Sequence, residues 1–269
     1  MAVKLNIASW NAQGLKRQKD IVSEVVGDYD FFIIQETWMY EYESNYCNHL
    51  HPHFYSVCNS AMKSDVILKG RPFGGLCILY HSSFSQHVKV IDTHSSHLLA
   101  IVYGNGVYKS LIVNVYFPCN TSADSDMITE CIVDISSLWA TVFCDRIKVA
   151  GDFNLDPKTN KHSQLHEMCL TESLRIIDVE FLSQDTLTYV SNQSGHTSWL
   201  DHFITSQNVL CSVVKVLDTV LSSDHLIISM QRQPASIEPA GARYAVITLN
   251  KGLVNGLSRV TDLSASIEN

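Results

Sequence analysis

Two apolar runs flank an Asn-Gly pair in the stretch Leu98-Leu-Ala-Ile-Val-Tyr-Gly-Asn-Gly-Val-Tyr-Lys-Ser-Leu-Ile-Val-Asn-Val-Tyr116. Both runs are rich in β-branched and aromatic side chains, which pack well on the surface of a β-sheet. The pair Asn105-Gly106 readily adopts the positive φ angles that a tight hairpin turn requires. The stretch therefore predicts two strands, 98–103 and 107–116, joined as an antiparallel hairpin. Such a hairpin argues against a simple alternation of parallel strands and helices.

Apolar runs of strand length recur along the chain and outnumber the helical stretches. Further strands are predicted at residues 4–8, 31–34, 76–80, 88–91, 147–150, 176–179, 200–205, 213–217 and 226–230. Apolar residues at helical spacing predict helices at 16–26, 124–143 and 163–174. An excess of strands that includes a hairpin favours an α/β fold in which two mixed β-sheets pack face to face with helices on the outside.

The composition narrows the class of protein. The 269 residues are 46% hydrophobic and 17% charged, so the chain can bury a sizeable core, which excludes intrinsic disorder. No apolar stretch approaches the ~18–20 residues that span a bilayer, and the first residues lack a secretory signal, so we expect an intracellular protein with no membrane partner. The formal net charge of −8 disfavours a protein that coats nucleic acid through charge alone, but it leaves room for a local basic groove.

The cysteines and histidines carry no recognisable metal motif. The chain has 8 cysteines, and none of them forms a Cys-x-x-Cys pair. Zinc-ribbon spacing is therefore absent, and in a long chain without a secretory signal we expect buried free thiols rather than disulfides. The cluster His49-Leu-His51-Pro-His53 has metal-binding side chains, but Pro52 and its polar neighbours favour an exposed loop.

The regular apolar pattern ends close to residue 231. Residues 1–232 are therefore predicted to form one domain. The following stretch, Pro234-Ala-Ser-Ile-Glu-Pro-Ala-Gly241, has the composition of a linker. We accordingly expect residues 233–269 to be a linker and tail outside the domain.

Small clusters of polar side chains follow or precede six of the predicted strands. They are Ser9-Trp-Asn11, Gln35-Glu36-Thr37-Trp38, Asn114-Val-Tyr116-Phe-Pro118, Gly151-Asp152-Phe-Asn154, Ser198-Trp-Leu-Asp201-His202 and Ser222-Ser-Asp224-His225. Each cluster alone is typical of an ordinary turn at a strand end. Six of them, rich in carboxylates and amides, predict side chains that converge on a crevice at the edge of the sheets, where catalytic sites commonly lie.

In this order the clusters resemble the signatures of the endonuclease/exonuclease/phosphatase superfamily, the metal-dependent phosphodiesterases that include abasic-site endonucleases and DNase I. The resemblance covers about residues 4–231 and implies a DNase I-like, four-layered α/β sandwich. The matching motifs are Trp10-Asn11, Gln35-Glu36-Thr37, Tyr116 with Pro118, Gly151-Asp152-Phe153-Asn154, Asp201 and Ser223-Asp224-His225.

Within the superfamily the chain looks most like the endonuclease domain of a non-LTR (LINE-type) retrotransposon polyprotein. The stretches that carry this likeness are Gln35-Glu-Thr-Trp38, Arg71-Pro-Phe-Gly-Gly-Leu76 and Thr197-Ser-Trp-Leu-Asp-His-Phe203. The family usually has a basic residue where this chain has Trp199, so DNA contacts at that corner are expected to differ. Strand alternation places His202 on the face opposite Asp201, which favours a structural role for that histidine.

The resemblance also implies the roles of the site residues. Glu36 and Asn11 would hold Mg²⁺, with Mn²⁺ as the alternative, and Asp224 would add a second metal contact. The substrate-binding residues would be Arg71 and Ser198.

The catalytic roles follow in the same way. Asp152 would take a proton from the attacking water while the Asn154 amide holds that water in place. His225 would face the scissile phosphate with its ring hydrogen-bonded by Asp201, and the Tyr116 hydroxyl would donate to a phosphate oxygen.

The implied function is a DNA endonuclease that nicks a double-stranded target and leaves a 3′-hydroxyl for target-primed reverse transcription. A reverse transcriptase domain would follow in the full-length chain, and the expected location is the nucleus. Three alternatives stay open: abasic-site repair, a phosphoesterase of the same fold acting on lipid, inositol phosphate or RNA, and a non-catalytic binding module. The full set of acids and amides disfavours the last, and the retrotransposon-like stretches disfavour the lipid and RNA substrates.

Overall fold

Twelve of the strands in the computed structural model of the chain form two mixed β-sheets. The structure describes residues 5–62, 68, 70–104, 106, 108–119, 125–217 and 222–232. The strands are β1 (Leu5–Asn11), β2 (Phe31–Gln35), β3 (Phe54–Asn59), β4 (Leu76–His81), β5 (Val88–Ile91), β6 (Leu98–Gly104), β7 (Lys109–Tyr116), β8 (Arg146–Asp152), β9 (Leu174–Ile176), β10 (Tyr189–Val190), β11 (Thr197–Ser198), β12 (Asp201–Ser206), β13 (Cys211–Leu217) and β14 (Ile227–Arg232).

Short helices connect these strands. The α-helices are α1 (Lys19–Val25), α2 (Ser125–Thr141), α3 (Ser163–Thr171) and α4 (Ile177–Phe181). The 3₁₀ helices are Leu15–Gln18, Val26–Asp28, Glu41–His49, Ser82–His87 and Asn160–His162. No helix within the described ranges is long and apolar enough to cross a membrane.

Each of the two main sheets has six strands and one parallel pair, and β10 and β11 pair antiparallel as a separate two-stranded sheet. The first sheet has the order β13-β14-β1-β2-β4-β3, and the second has the order β5-β6-β7-β8-β12-β9. The parallel pairs are β1 with β2 and β7 with β8, and the other neighbours are antiparallel. The second sheet comes from one continuous segment, residues 88–206, and the first sheet is built from the chain on both sides of it.

The strand register brings the polar strand ends together. Asn11 lies opposite Gln35 where β1 and β2 end, and Tyr116 lies opposite Asp152 where β7 and β8 end. The antiparallel strand β12 begins at Asp201, which is also opposite Asp152. Because parallel strands end at the same edge, the clusters at these ends share one edge of each sheet.

Three apolar layers separate four layers of structure. Alternate residues of β2 face opposite sides, so Phe31 and Ile33 pack between the sheets while Phe32 and Ile34 pack on the outer face of the first sheet. The helical segments around α1 cover that outer face, and α2 and α3 cover the outer face of the second sheet. This arrangement confirms the predicted four-layered α/β sandwich.

The predicted antiparallel pairing of the two hairpin strands is confirmed, because β6 and β7 pair from Leu98 with Val115 to Gly104 with Lys109; β7 begins at Lys109 rather than at residue 107. Asn105 and Val107 lie outside the described residues, as do residues 233–269, where we predicted a linker and tail.

Some predicted elements were wrong. Residues 176–179 do not form a strand: β9 ends at Ile176 and α4 begins at Ile177. An apolar run this short does not distinguish a strand from a helix. Helix α3 ends at Thr171 rather than at residue 174, since Ser173 adopts a φ of 55° that a right-handed helix excludes. Strand β3 and the 3₁₀ helix Glu41–His49 were not predicted.

Gly151 allows the two central strands of the second sheet to approach each other beside the polar edge. Its φ is 153°, and a Cβ atom there would lie 2.0 Å from the carbonyl oxygen of Val115. We expect Gly151→Ala to lower the free energy of unfolding by about 3 kcal/mol, because the backbone of β7 would have to move. Urea unfolding measures the effect, with Gly27→Ala as the control, since a Cβ at Gly27 meets nothing within 4 Å. Equal stability of the two variants would contradict the close approach.

Candidate active site

The Glu36 carboxylate lies at the centre of a set of hydrogen-bond donors. The Tyr116 hydroxyl donates to Oε1 at 2.6 Å, and the Trp38 indole donates to Oε2 at 2.8 Å. The Asn11 amide approaches Oε1 at 3.4 Å. A carboxylate has about four acceptor positions, so at least one remains for another ligand.

The turn that carries Glu36 is tightly constrained. Glu36 and Trp38 adopt φ values of 50° and 54°, which few non-glycine residues do. On one side, the backbone N–H groups of Gly14 and Leu15 donate to the carbonyls of Glu36 and Thr37 at 2.8 and 3.1 Å. On the other side, Thr37 and Trp38 donate to the carbonyls of the Gly74-Gly75 pair at 3.1 and 3.0 Å. These bonds fix the direction in which the Glu36 side chain leaves the backbone.

Asn11 links the two sheets. It is fully buried at the end of β1, and its Nδ2 donates to Asp152 Oδ2 at 2.9 Å as well as approaching Glu36. Its Oδ1 accepts from the backbone N–H of Gln13 at 3.2 Å, which fixes the orientation of the amide. One amide group therefore joins a carboxylate of the first sheet to a carboxylate of the second.

Asp152 is buried and held at both oxygens. Oδ1 accepts from the backbone N–H of Asn154 at 2.9 Å, and Oδ2 accepts from Asn11. Burial raises the pKa of the Asp152 carboxyl above its usual range, which favours proton uptake at that group. Asn154 itself adopts a φ of 51°, and its side-chain Nδ2 donates to the carbonyl of Phe117 at 2.8 Å. Asp152 is therefore positioned to accept a proton.

His225 lies between two carboxylates. Its Nδ1 is 2.9 Å from Asp201 Oδ2, and its Nε2 is 3.7 Å from Asp152 Oδ2. Burial alone would lower the pKa of His225, but the negative charges of Asp201 and Asp152 outweigh it and raise the pKa to about 9. The ring is therefore an imidazolium cation at neutral pH. The Tyr189 ring packs edge-on against it at 5.0 Å between centroids.

Two side chains hold the backbone on which His225 lies. The Trp10 indole donates to the His225 carbonyl at 3.0 Å. The Ser223 hydroxyl donates to the Asn11 carbonyl at 2.6 Å and accepts from the His225 N–H at 3.1 Å. Trp10, Trp38 and Ser223 belong to the polar clusters quoted from the sequence, but we assigned them no role there.

The structure brings six of the predicted site residues into one connected network. They are Asn11, Glu36, Tyr116, Asp152, Asp201 and His225, and Asn154 adjoins them. The Tyr116 hydroxyl, for which we predicted a phosphate contact, donates to Glu36 in this structure. Burial and the nearby negative charge of Glu36 raise the pKa of Tyr116, so its hydroxyl stays protonated.

The other three predicted residues lie at the margin of this network. The Asp224 carboxylate accepts hydrogen bonds from Asn192, a residue that we did not predict and for which the sequence offers no signal. The Arg71 guanidinium lies 5.9 Å from the centroid of the Trp38 ring, whose indole N–H donates to Glu36. The Ser198 hydroxyl contacts His196 Nε2 at 3.0 Å.

His202 has a structural environment, as strand alternation predicted. It is fully buried, with Nδ1 at 2.7 Å from Asp178 Oδ2 and Nε2 at 2.9 Å from the Leu155 carbonyl. Asp178 also accepts from the Phe203 N–H at 2.7 Å, so it ties α4 to β12. His202 is therefore a core residue rather than a member of the site.

The donor set fits a hard divalent cation. Carboxylate oxygens of Asp152 and Asp201 lie within 4.8 Å of each other, and the Oδ1 of Asp201 is buried without a hydrogen-bond partner among the described residues. The His225 imidazolium has both ring nitrogens protonated, so it balances this negative charge and is not itself a metal ligand. Three carboxylates, those of Glu36, Asp152 and Asp201, surround the single positive charge of His225. Oxygen ligands with excess negative charge are the environment that Mg²⁺-like ions prefer.

Comparison with known proteins gives one family and several similar folds. Residues 8–225 match the family model described as the Endonuclease/Exonuclease/phosphatase family. No curated protein sequence matches the chain.

Solved structures that resemble the chain share its fold at low identity. The endonuclease domain of TRAS1, a telomere-specific non-LTR retrotransposon, aligns with a TM-score of 0.65 and 14% identity, over 87% of this chain and 100% of that chain. The AP endonuclease LMAP from Leishmania major aligns with a TM-score of 0.68 and 15% identity, over 86% and 88%. A 3′ phosphatase, NExo, from Neisseria, bound to a product DNA hairpin, aligns with a TM-score of 0.67 and 12% identity, over 85% and 99%.

Proposed function

The chain belongs to the endonuclease/exonuclease/phosphatase family, and from this premise we propose that it is a Mg²⁺-dependent endonuclease that nicks double-stranded DNA. The observation that carries the proposal is the connected network of Glu36, Asn11, Asp152, Asp201 and His225. The network places a carboxylate that can bind a metal ion (Glu36), a proton acceptor (Asp152) and a cation (His225) on one edge of the sandwich. These three functions together can promote hydrolysis of a phosphodiester.

The residues have distinct roles in the proposed reaction. Glu36 would hold the metal ion, which supplies charge stabilisation to the phosphate when it is bound. The Asn11 amide donates to Glu36 and Asp152 and so orients both carboxylates. Asp152 accepts a proton from the attacking water, and its own orientation is set by the Asn154 N–H and the Asn11 amide. The imidazolium of His225, oriented by Asp201, stabilises the negative charge that develops on the phosphoryl oxygens.

The bonds that form and break determine the products. The water oxygen forms a bond to phosphorus, and the bond between phosphorus and the 3′ oxygen breaks. The leaving oxygen takes up a proton from solvent and becomes a 3′-hydroxyl, and the phosphate remains on the 5′ end of the downstream strand. A 3′-hydroxyl at a nick is the end that a polymerase extends.

We favour a retrotransposon-type role for this nick. The three sequence stretches that carry the resemblance support it, and so does the shared fold with the TRAS1 endonuclease domain. In this role a reverse transcriptase domain of the full-length chain would extend the 3′-hydroxyl, and the protein would act in the nucleus. Because the chain carries a net charge of −8, binding to DNA should be weak and salt-sensitive, with Arg71 as one phosphate contact.

Abasic-site repair is the second candidate function. It would use the same chemical groups, and the Leishmania major AP endonuclease has a TM-score of 0.68 to this chain. The two candidates differ in substrate rather than in mechanism. Intact and abasic duplexes therefore have to be compared directly.

We expect the protein with Mg²⁺ to nick supercoiled plasmid and an intact end-labelled duplex, leaving 3′-hydroxyl and 5′-phosphate ends. The duplex is assayed beside an otherwise identical abasic duplex, and the nick is then offered to a polymerase. A nick that the polymerase cannot extend would exclude the priming role. A strong preference for the abasic duplex would assign the protein to repair.

A further inference from the structure

Three cysteines from separate elements converge on the outer side of the first sheet. Cys47 lies in the 3₁₀ helix Glu41–His49, Cys58 in β3 and Cys77 in β4. Their sulfur atoms all lie within 4.8 Å of one another. Cys47 and Cys77 are buried and Cys58 is partly exposed. We refer to these three residues as the cysteine triad.

The fold explains why these residues meet although they are far apart in the sequence. Cys58 and Cys77 are direct partners in the antiparallel pairing of β3 and β4, so their side chains leave the sheet on the same face. The 3₁₀ helix packs on β3 and brings Cys47 over this pair, and the Ser44 carbonyl of the same helix lies 3.8 Å from the Cys58 sulfur. All three cysteines belong to the apolar layer on the outer face of the first sheet, whereas the active-site network contains no cysteine.

We propose that the cysteine triad binds one thiophilic d¹⁰ cation of the Zn²⁺ class. Zinc–sulfur bonds are about 2.3 Å long, so three sulfurs around one ion lie about 3.8 Å apart. Sulfur atoms that are within 4.8 Å of one another need to approach by no more than about 1 Å to reach this arrangement. Binding releases the thiol protons to solvent and involves no oxidation.

The triad fits a metal ion better than a disulfide. A disulfide joins two sulfurs and would leave the third cysteine unused, whereas all three converge here. The partial exposure of Cys58 provides a path for the ion and room for a water molecule as a fourth ligand. Thiolates select soft cations and the carboxylates of the active site select hard ones, so the two sites would hold different metals. The bound ion would connect the 3₁₀ helix to β3 and β4, which is a structural role.

The test uses the reduced, metal-free full chain and Cd²⁺ alone as the probe. One equivalent of Cd²⁺ should produce a thiolate-to-metal charge-transfer band, which oxygen ligands at the active site do not produce. Cys58→Ser should lose this band and bind Cd²⁺ more than ~100-fold more weakly. The substitution removes a direct ligand, and loss of a residue that only hydrogen-bonds to a ligand already lowers metal affinity by about 10–100-fold. Cys131→Ser is the matched control, because Cys131 is a buried cysteine of α2 in the other outer layer, and it should keep the band.

A second measurement does not depend on the folding of a variant. Zn²⁺ should slow the alkylation of Cys58, the partly exposed member of the triad, relative to the unchanged protein without metal. Mass spectrometry of the peptides should show no such change at the exposed Cys119. The absence of a charge-transfer band, an equal band in folded Cys58→Ser, or protection of cysteines outside the triad would overturn the proposal. A further contradicting result would be a protein that forms a disulfide among these three cysteines under mild oxidation and that binds no metal after the disulfide has been reduced.

Discussion

Glu36→Gln is expected to lower the rate of plasmid nicking with Mg²⁺ by on the order of 10³-fold, because a catalytic metal supplies several kcal/mol of transition-state stabilisation. Glu36 is the carboxylate on which Asn11, Trp38 and Tyr116 converge. Glutamine keeps the size of the side chain but removes the charge that would hold the metal. The rate of conversion of supercoiled to nicked plasmid measures the effect, and the thermal unfolding midpoint checks that the fold is intact.

The matched control is Glu41→Gln, which removes a carboxylate of an exposed residue on the neighbouring 3₁₀ helix. This variant should nick at the unchanged rate. EDTA should abolish nicking by the unchanged protein. Full activity of Glu36→Gln, or full activity in EDTA, would contradict the proposed metal site.

His225→Ala is expected to reduce turnover by about 10²–10⁴-fold, the usual range for loss of an acid–base or electrostatic group. The imidazolium lies between Asp201 and Asp152, and its removal leaves these two buried carboxylates without the cation that separates them. Asp201→Asn should cause part of the same loss, since the amide no longer stabilises the ring charge. Single-turnover nicking rates measure both variants, with His166→Ala on the exposed face of α3 as the control.

The double variant tests whether Asp201 acts through His225. If it does, Asp201→Asn should cost little once His225 is absent, so the two losses should not multiply. Simple multiplication of the two effects in the double variant would show that the pairing in the structure is not part of the mechanism.

The main outline of the fold could be predicted because its signals are local. The wholly apolar run 31–34 indicates a strand buried on both faces, and the hairpin signal at Asn105-Gly106 argues against a simple alternation of parallel strands and helices. Strand β3 gave no comparable signal, since only Phe54 of its six residues is buried. Helix α4 depends on its tertiary partners: buried Asp178 bonds to β12, and no local pattern encodes that contact.

The site was predictable where its side chains lie at strand ends. Asp152, Asp201 and His225 stand beside apolar runs, and sheet geometry then brings them together. The residues that hydrogen-bond to these groups could not be predicted as easily from the sequence. Asn192 lies in the connection between β10 and β11, where polar residues are the norm. The cysteine triad depends on cross-strand pairing, so no zinc-type spacing appears in the chain.

In the sequence, the segment that forms the second sheet lies between the two segments that form the first sheet, and this order affects how the protein folds during synthesis. Residues 88–206 form a whole sheet from one continuous segment, so this sheet can complete as soon as its own strands have left the ribosome. Strand β1 can pair with β2 early, but its pairing with β14, in which Leu5 lies opposite Arg232, has to wait for the last strand. His225 arrives with that last strand. Between the synthesis of Asp152 and that of His225, a nascent chain would thus carry Glu36 and Asp152 while still lacking the cation between the carboxylates.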